Sequence, residues 1–333
     1  ENIVEKHAVE KHYKYRYERV LGEKKRNVFV LVVCRDKEDD KFMKLENKNI
    51  TKLPRQLDQA VVMMKSALSL ASNVLKFVVI SDSEEYFDEF RKALSLNIPA
   101  KYLTLLDLEY QPVWYPNELN DDLRDMFRKC ATARLFLHEI LKSFYDAIVY
   151  IDTDFLFMAP PEKLWSVFDD FSEDEIIGVV SSKTGYYDSL RSLIPYYGDS
   201  GLNDGVMLMN LTAMDRFPGG WIQENIRVFA QFRHKIVLAE QDMLNILFSG
   251  FPPYIHEVGC NWNFRGYMCD EHARHCIPAD EEGVFGIHGN GLSFYTETYL
   301  KFRVIFEEWK KFKMVDSLHE MWLRMSTALE TTD

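Results

Sequence analysis

The chain has 333 residues, is 47% apolar and 28% charged, and carries a net charge of −12. That much apolar material supports one large domain or two half-domains around one sheet, and it excludes a chain disordered over most of its length. The acidic balance, with no Lys/Arg stripe, excludes a duplex nucleic-acid binder, although a metal ion can still shield the phosphates of a bound nucleotide.

Residues 1–26 are polar and rich in Lys, Glu and Tyr, and read as a stem or peripheral helix. Asn27 to Cys34 is a near-continuous β-branched run, the pattern of a strand buried on both faces. Residues 35–55 read as a loop. Gln59 to Ala71 has helical spacing, Leu75 to Ile80 is a second buried strand, and Tyr86 to Leu96 is helical. Strand, helix, strand, helix argues for a mostly parallel α/β sheet with its functional loops at the carboxyl ends of the strands. Residues 110–120, with Trp114, two prolines and two asparagines, read as a loop. Leu123 to Phe144 reads as one long helix leading into the strand Ala147–Ile151. Further strands are expected near 176–181, 205–210 and 283–288, and helices near 221–231, 240–248 and 298–312. From Val315 to Asp333 the pattern is that of a helix that frays.

Asp152-Thr153-Asp154 follows the strand Ala147–Ile151 directly. Residues two apart in extended chain share a side, so the two carboxylates converge, and they repel unless a cation or hydrogen bonds compensate. Hard oxygen ligands suit Mn²⁺ or Mg²⁺; the alternative is a solvated strand-end loop. His288 ends an apolar run among glycines and is a candidate third, nitrogen ligand, against the plainer role of a core or turn histidine. The neighbouring glycines, Gly289 and Gly291, let a ligand approach the backbone. Neither a P-loop nor a GxGxxG dinucleotide fingerprint is present. Asn203, Asp204, Glu240 and Gln241 are polar residues able to line a site for sugar hydroxyls, although acids at 240 and 242 are also ordinary helix-start chemistry.

The five cysteines are Cys34, Cys130, Cys260, Cys269 and Cys276. Cys269, His272, His275 and Cys276 lack the spacing of a common structural zinc site, and a Cys269–Cys276 disulfide is expected ahead of zinc. Sequons stand at Asn49 and Asn210, and no apolar run is long enough to span a bilayer.

Taken in order, these motifs resemble glycosyltransferase family 8, the retaining GT-A enzymes that include glycogenin. The set comprises the first strand ending near Cys34, Ala133-Arg134-Leu135, Ile151-Asp152-Thr153-Asp154 and Asn203-Asp204-Gly205-Val206. It continues with Gln241-Asp242-Met243-Leu244-Asn245 and His288-Gly289-Asn290-Gly291. Lys129-Cys130-Ala131, Arg134-Leu135-Phe136-Leu137, Gly205-Val206-Met207-Leu208-Met209-Asn210, Cys260-Asn261-Trp262-Asn263 and His288-Gly289-Asn290 are similar to the glucoside xylosyltransferases within that family. The resemblance implies a GT-A fold, a Rossmann-like mixed sheet flanked by helices, over residues 27–312. Residues 1–26 then form a stem and residues 313–333 a carboxyl-terminal helical tail. It implies a type II membrane protein of the Golgi or endoplasmic reticulum lumen, with its anchor outside this sequence. Its reaction would be retaining transfer of α-xylose from UDP-xylose to an O-linked glucose on EGF-like repeats of Notch-type proteins.

The resemblance also implies residue roles. Asp152, Asp154 and His288 would hold Mn²⁺ against the UDP diphosphate, with Thr153, Asp204, Gly205, Asn290 and Gly291 beside the nucleotide. Val33, Cys34 and Arg35 would sit by the uridine. Arg134, Asn203 and Glu240 would contact the donor sugar, Gln241 would lie by the anomeric carbon, and Trp262 and Asn263 would be near the acceptor. Two departures stand out: Glu240 replaces the Asp of many members, and Phe294 replaces a diphosphate-binding Lys, leaving Arg35 or another base to substitute.

Overall fold

The computed structural model describes residues 27–35, 53–124, 126, 129–187, 193–269 and 275–332. The stem expected over 1–26, the sequon at Asn49 and His272 lie outside the described residues.

Strand β1 (Asn27–Val32) is buried at all six positions. It pairs in parallel with β2 (Leu75–Ser81) on one side and β4 (Ala147–Ile151) on the other. Beyond β2, β3 (Leu106–Pro112) adds another parallel edge. Strand β7 (Leu202–Asn210) runs antiparallel to both β4 and β6 (Ile177–Ser181), and β8 (Ile255–Val258) closes the sheet parallel to β6. The order is β3-β2-β1-β4-β7-β6-β8. A second sheet is built from β5 (Phe155–Phe157), β10 (Gly286–His288) and β9 (Phe264–Arg265).

Side chains of β1 alternate between two cores. Phe29, Leu31 and Val33 join α1 (Arg55–Leu70) and α2 (Glu84–Asn97) on one face. Val28, Val30 and Val32 join α3 (Trp221–Phe232) and α4 (Ala239–Gly250) on the other. A strand covered on both faces must be apolar at every position, which is why its sequence shows no alternation.

Several expectations change. The helix read over 123–144 is instead a 3-10 turn at Ala131–Phe136 and a short helix at Leu137–Leu141. Cys130 breaks it: this residue is left-handed (φ 61°) and disulfide-bonded to Cys34, 96 residues away. Left-handed backbone at a residue with a side chain cannot continue a right-handed helix. The loop read over 110–120 begins inside β3, whose partly buried residues carry a weak apolar signal. The tail does not fray: α6 (Leu318–Glu330) packs on α5 (Leu300–Lys311), with Trp309 edge-on to Trp322 and Met321 and Met325 buried.

The disulfide expected between Cys269 and Cys276 is overturned. Cys276 bonds Cys260, with Cα atoms 5.7 Å apart, and Cys269 is exposed outside both disulfides. Cys260 opens a 3-10 turn and Cys276 caps the short helix Ile277–Glu282, so the two turns bring them within disulfide reach.

Candidate active site

A cleft of about 930 Å³ opens where β4 ends and β7 begins. These ends meet because β7 is antiparallel to β4, with Ile151 opposite Val206 and the Asp152 N–H donating to the Gly205 carbonyl at 2.9 Å. Val179 of β6 pairs with Met207 but Val180 pairs with Asn203, so Asp204, Gly205 and Val206 have no partner on β6. Bulges of this kind re-aim side chains beside sites.

Asp152 and Asp154 flank the turn from β4 to β5. His288 ends β10, whose antiparallel pairing sets it opposite Phe155. The His288 Nε2 lies 3.5 Å from Asp152 Oδ2 and 3.3 Å from Asp154 Oδ1. Asp152, Asp154 and His288 each offer one ligand atom, and these atoms lie within 4.8 Å of one another. Two carboxylates on one turn and an imidazole on another strand form a donor set that one divalent cation can bridge. Gly205 makes room for the ring: a Cβ there would lie 2.2 Å from His288 Cε1.

Arg134 is buried above the Tyr150 ring, its guanidinium 4.6 Å from the centroid. It faces three acids, with Nη2 2.8 Å from Asp152 Oδ1 and 3.3 Å from Glu240 Oε1, and Nη1 3.5 Å from Asp204 Oδ1. One positive charge cannot neutralise three carboxylates. Asp152 is nearest. Burial works against its ionisation, but Arg134 and His288 outweigh that and hold it at about 2. Burial dominates at the other two, pushing Asp204 up to about 6 and Glu240 to about 8 against the pull of Arg134. His288 also resists burial, and the two aspartates raise it to about 9.

The structure brings Arg134, Asp152, Thr153, Asp154, Asn203, Asp204, Glu240, Gln241, His288, Asn290 and Gly291 together in one cleft wall. Six other expected residues do not line it, among them Gly205, which packs against the His288 ring. Val33 points into the α1 core, Cys34 is locked in its disulfide, and Arg35 pairs with Glu89 at 2.5 Å. Val32, Arg55, Gln56 and Gln59 line the cleft instead. Trp262 and Asn263 are 4% and 0% exposed and sit beneath the site, not on its surface. Phe294 is a core residue stacked on Phe306 at 4.7 Å, so the absent Lys has been replaced by packing. Lys129, Lys183 and Arg265 supply cations to the wall.

Besides these wall residues, three tyrosines of the site have no signal in the sequence. Tyr150 donates to Asp152 Oδ1, Tyr187 donates to Asp242 Oδ1, and Tyr267 lines the wall. Tyr150 was legible only as an apolar strand position, and the stretch around Tyr187 carries no periodicity.

A family model described as glycosyl transferase family 8 matches residues 9–293. The chain is 31% identical over 288 residues to Glucoside xylosyltransferase 1 of Danio rerio, covering 82% of this chain and 70% of that protein. Against the Mus musculus protein of the same name it is 31% identical over 274 residues, covering 78% of this chain and 66% of the relative. Among solved structures it is similar to the apo form of mouse Xyloside xylosyltransferase 1, with a TM-score of 0.55 at 18% identity, over 80% of this chain and 98% of that one. The galactosyltransferase LgtC, in complex with donor and acceptor sugar analogs, superposes with a TM-score of 0.56 at 18% identity, over 85% of this chain and 95% of that one. The structural likenesses show the GT-A fold, and the family match over most of the sequence shows the chemistry class. The chain belongs to glycosyltransferase family 8.

Proposed function

We propose that this chain moves α-xylose from UDP-xylose to an O-linked glucose on EGF-like repeats, with retention at the anomeric carbon, in the Golgi or endoplasmic reticulum lumen. The observation that carries the reading is the convergence of Asp152, Asp154 and His288 on one point of a polar cleft. The choice of xylose and of a glucoside acceptor is supported by the names of the relatives at 31% identity. Two disulfides suit an oxidising compartment. Among the described residues no helix is long and apolar enough to cross a membrane.

Asp152, Asp154 and His288 would hold a divalent ion, Mn²⁺ by the mixed oxygen and nitrogen donors. When bound, that ion supplies Lewis acidity at the leaving diphosphate. The protein's own residues do the rest. Lys129 and Lys183 stand in for the Lys that Phe294 replaces as diphosphate cations. Arg134, Asn203 and Glu240 orient the donor sugar; the Oε2 of Glu240 has no hydrogen-bond partner and is buried at the wall, ready for a sugar hydroxyl. Tyr186 and Tyr267 give a sugar ring aromatic faces to pack on. Gln241 is a poor nucleophile because it is an amide, and both ends are engaged: Oε1 by Asn203 at 2.7 Å and Nε2 by Tyr187 at 2.9 Å. A front-face reaction, with the acceptor proton passing to the leaving phosphate oxygen, needs no such nucleophile.

A donor screen tests this. With Mn²⁺ and an O-glucosylated EGF-like domain, UDP-xylose should give an α-linked product, and UDP-glucose and UDP-galactose should give little. Preference for a hexose donor would overturn the xylose assignment. Glycan binding without UDP–Mn²⁺ binding would favour a catalytically silent relative.

A further inference from the structure

A single file of hydrogen bonds runs beneath the cleft from His288 to the first turn of α4. His288 Nδ1 lies 2.9 Å from Asn263 Oδ1. Asn263 Nδ2 donates to Asn203 Oδ1 at 2.7 Å, and Asn203 Nδ2 donates to Gln241 Oε1 at 2.7 Å. Gln241 Nε2 donates to the Tyr187 hydroxyl at 2.9 Å, and that hydroxyl donates to Asp242 Oδ1 at 2.9 Å. The other Asp242 oxygen accepts the Val237 and Leu238 N–H groups at 2.7 and 2.8 Å.

Three amides in this file can each be turned either way, so something must choose the direction. Asp242 does. With two backbone N–H groups on one oxygen and the Tyr187 hydroxyl on the other, its carboxylate only accepts. Tyr187 must therefore give its proton to Asp242 and take Gln241 Nε2. Gln241 then presents Oε1 to Asn203, Asn203 presents Oδ1 to Asn263, and Asn263 presents Oδ1 to His288. The Gly205 N–H, 3.3 Å from Asn203 Oδ1, favours the same sense. At the far end the His288 Nδ1 hydrogen is held on Asn263 Oδ1, so the proton a metal displaces is the one on Nε2, the nitrogen facing Asp152 and Asp154.

We infer that Asp242 and Tyr187 are positioning residues that fix the His288 tautomer and the Gln241 amide from across the relay, keeping Nε2 open to the metal. This rests on the metal-dependent reading of the cleft. Sequence logic shows Asp242 only as a helix-start acid. Its second role appears once Tyr187, Asn203 and Asn263 are seen to connect it to the site.

Reversing the relay tests it. In Asp242→Asn the backbone donors claim the amide oxygen, so the new Nδ2 donates to Tyr187 and each amide in turn flips. Asn263 then donates to His288 Nδ1, which moves the ring hydrogen to Nε2, against the metal. Asn263→Asp added to this variant should repair it, because a carboxylate there accepts from both Nδ1–H and Asn203 Nδ2. The readout is Mn²⁺ affinity in the presence of UDP, followed by the electron-spin resonance of free Mn²⁺. Asp242→Asn should weaken binding by about tenfold or more, the usual scale for an outer partner of a ligating histidine. The Asp242→Asn/Asn263→Asp protein should recover most of it. If Asp242→Asn does not fold, Tyr187→Phe, which keeps the ring and leaves Asp242 on its backbone donors, should lose affinity and be repaired by the same second change. Unchanged affinity in the single variants, or a double variant no better than the single, overturns the relay. Wild-type protein that binds no Mn²⁺ with UDP overturns the functional reading itself.

Discussion

Gly205→Ala puts the smallest possible perturbation against the metal triad. A Cβ at 205 would lie 2.2 Å from His288 Cε1 and 2.5 Å from Nδ1, where ordinary contact begins at 3.4 Å. The ring must therefore retreat by about 1.2 Å, the difference between 3.4 and 2.2 Å. It has little freedom, because Asn263 holds Nδ1 at 2.9 Å and the aspartates face Nε2 at 3.3 and 3.5 Å. Metal–ligand distances tolerate only about ±0.2 Å. A displacement several times larger should cost about 10²-fold in Mn²⁺-dependent UDP affinity. Overpacking should cost about 1–3 kcal/mol of stability, a fall of a few degrees in Tm. Calorimetric titration with UDP and Mn²⁺, beside a thermal melt, reads both. Gly205→Ala/His288→Ala is the control: removing the ring should restore Tm without restoring binding. Affinity within threefold of wild type in Gly205→Ala would refute the claim that this close approach seats a metal ligand.

Glu240 gives two more predictions. Its side chain is one methylene longer than the Asp of many family members, so on the proposed donor reading it would reach into space that a hexose hydroxymethyl needs. Glu240→Asp should raise kcat/KM for UDP-glucose relative to UDP-xylose by about tenfold; an unchanged ratio means Glu240 does not gate the donor. Burial raises Glu240 to about 8 from 4.5, so between those values the folded state keeps a proton that the unfolded state has lost. Stability should then fall as pH rises through that window, and Glu240→Gln should flatten the slope in pH-dependent melts; an identical slope would remove the assignment. Peptide mapping without reduction should find Cys34–Cys130 and Cys260–Cys276, with alkylation at Cys269. Recovery of Cys269 joined to Cys276 would reinstate the pairing that the structure overturns.

Local chemistry made much of this legible. Asn27–Val32 and Ala147–Ile151 are buried on both faces, so their apolar runs show directly, and Asp152 and Asp154 stand out by breaking such a run. Partners brought in by long-range topology were not legible. β9 is only two residues long, and Asn263 matters because β9 and β10 pair, setting Arg265 opposite His288. Cys130 ends a helical pattern through a disulfide to a residue 96 positions away, which no local signal encodes. Trp262 and Asn263 were expected near the acceptor from motif resemblance, but motif order does not reveal whether a residue lines a cleft or supports it from below.

The most direct measurement is calorimetric titration of UDP into wild-type protein and Asp154→Asn, each with and without Mn²⁺. Asp154 is partly exposed, and its carbonyl, not its side chain, holds the Gly289 N–H at 2.6 Å, so the substitution should leave the fold intact. Wild-type protein should bind UDP tightly only with Mn²⁺, and folded Asp154→Asn should lose the Mn²⁺-dependent part. Equal Mn²⁺-dependent binding by both proteins would contradict the assignment of Asp152, Asp154 and His288 as the metal site on which the proposed sugar transfer depends.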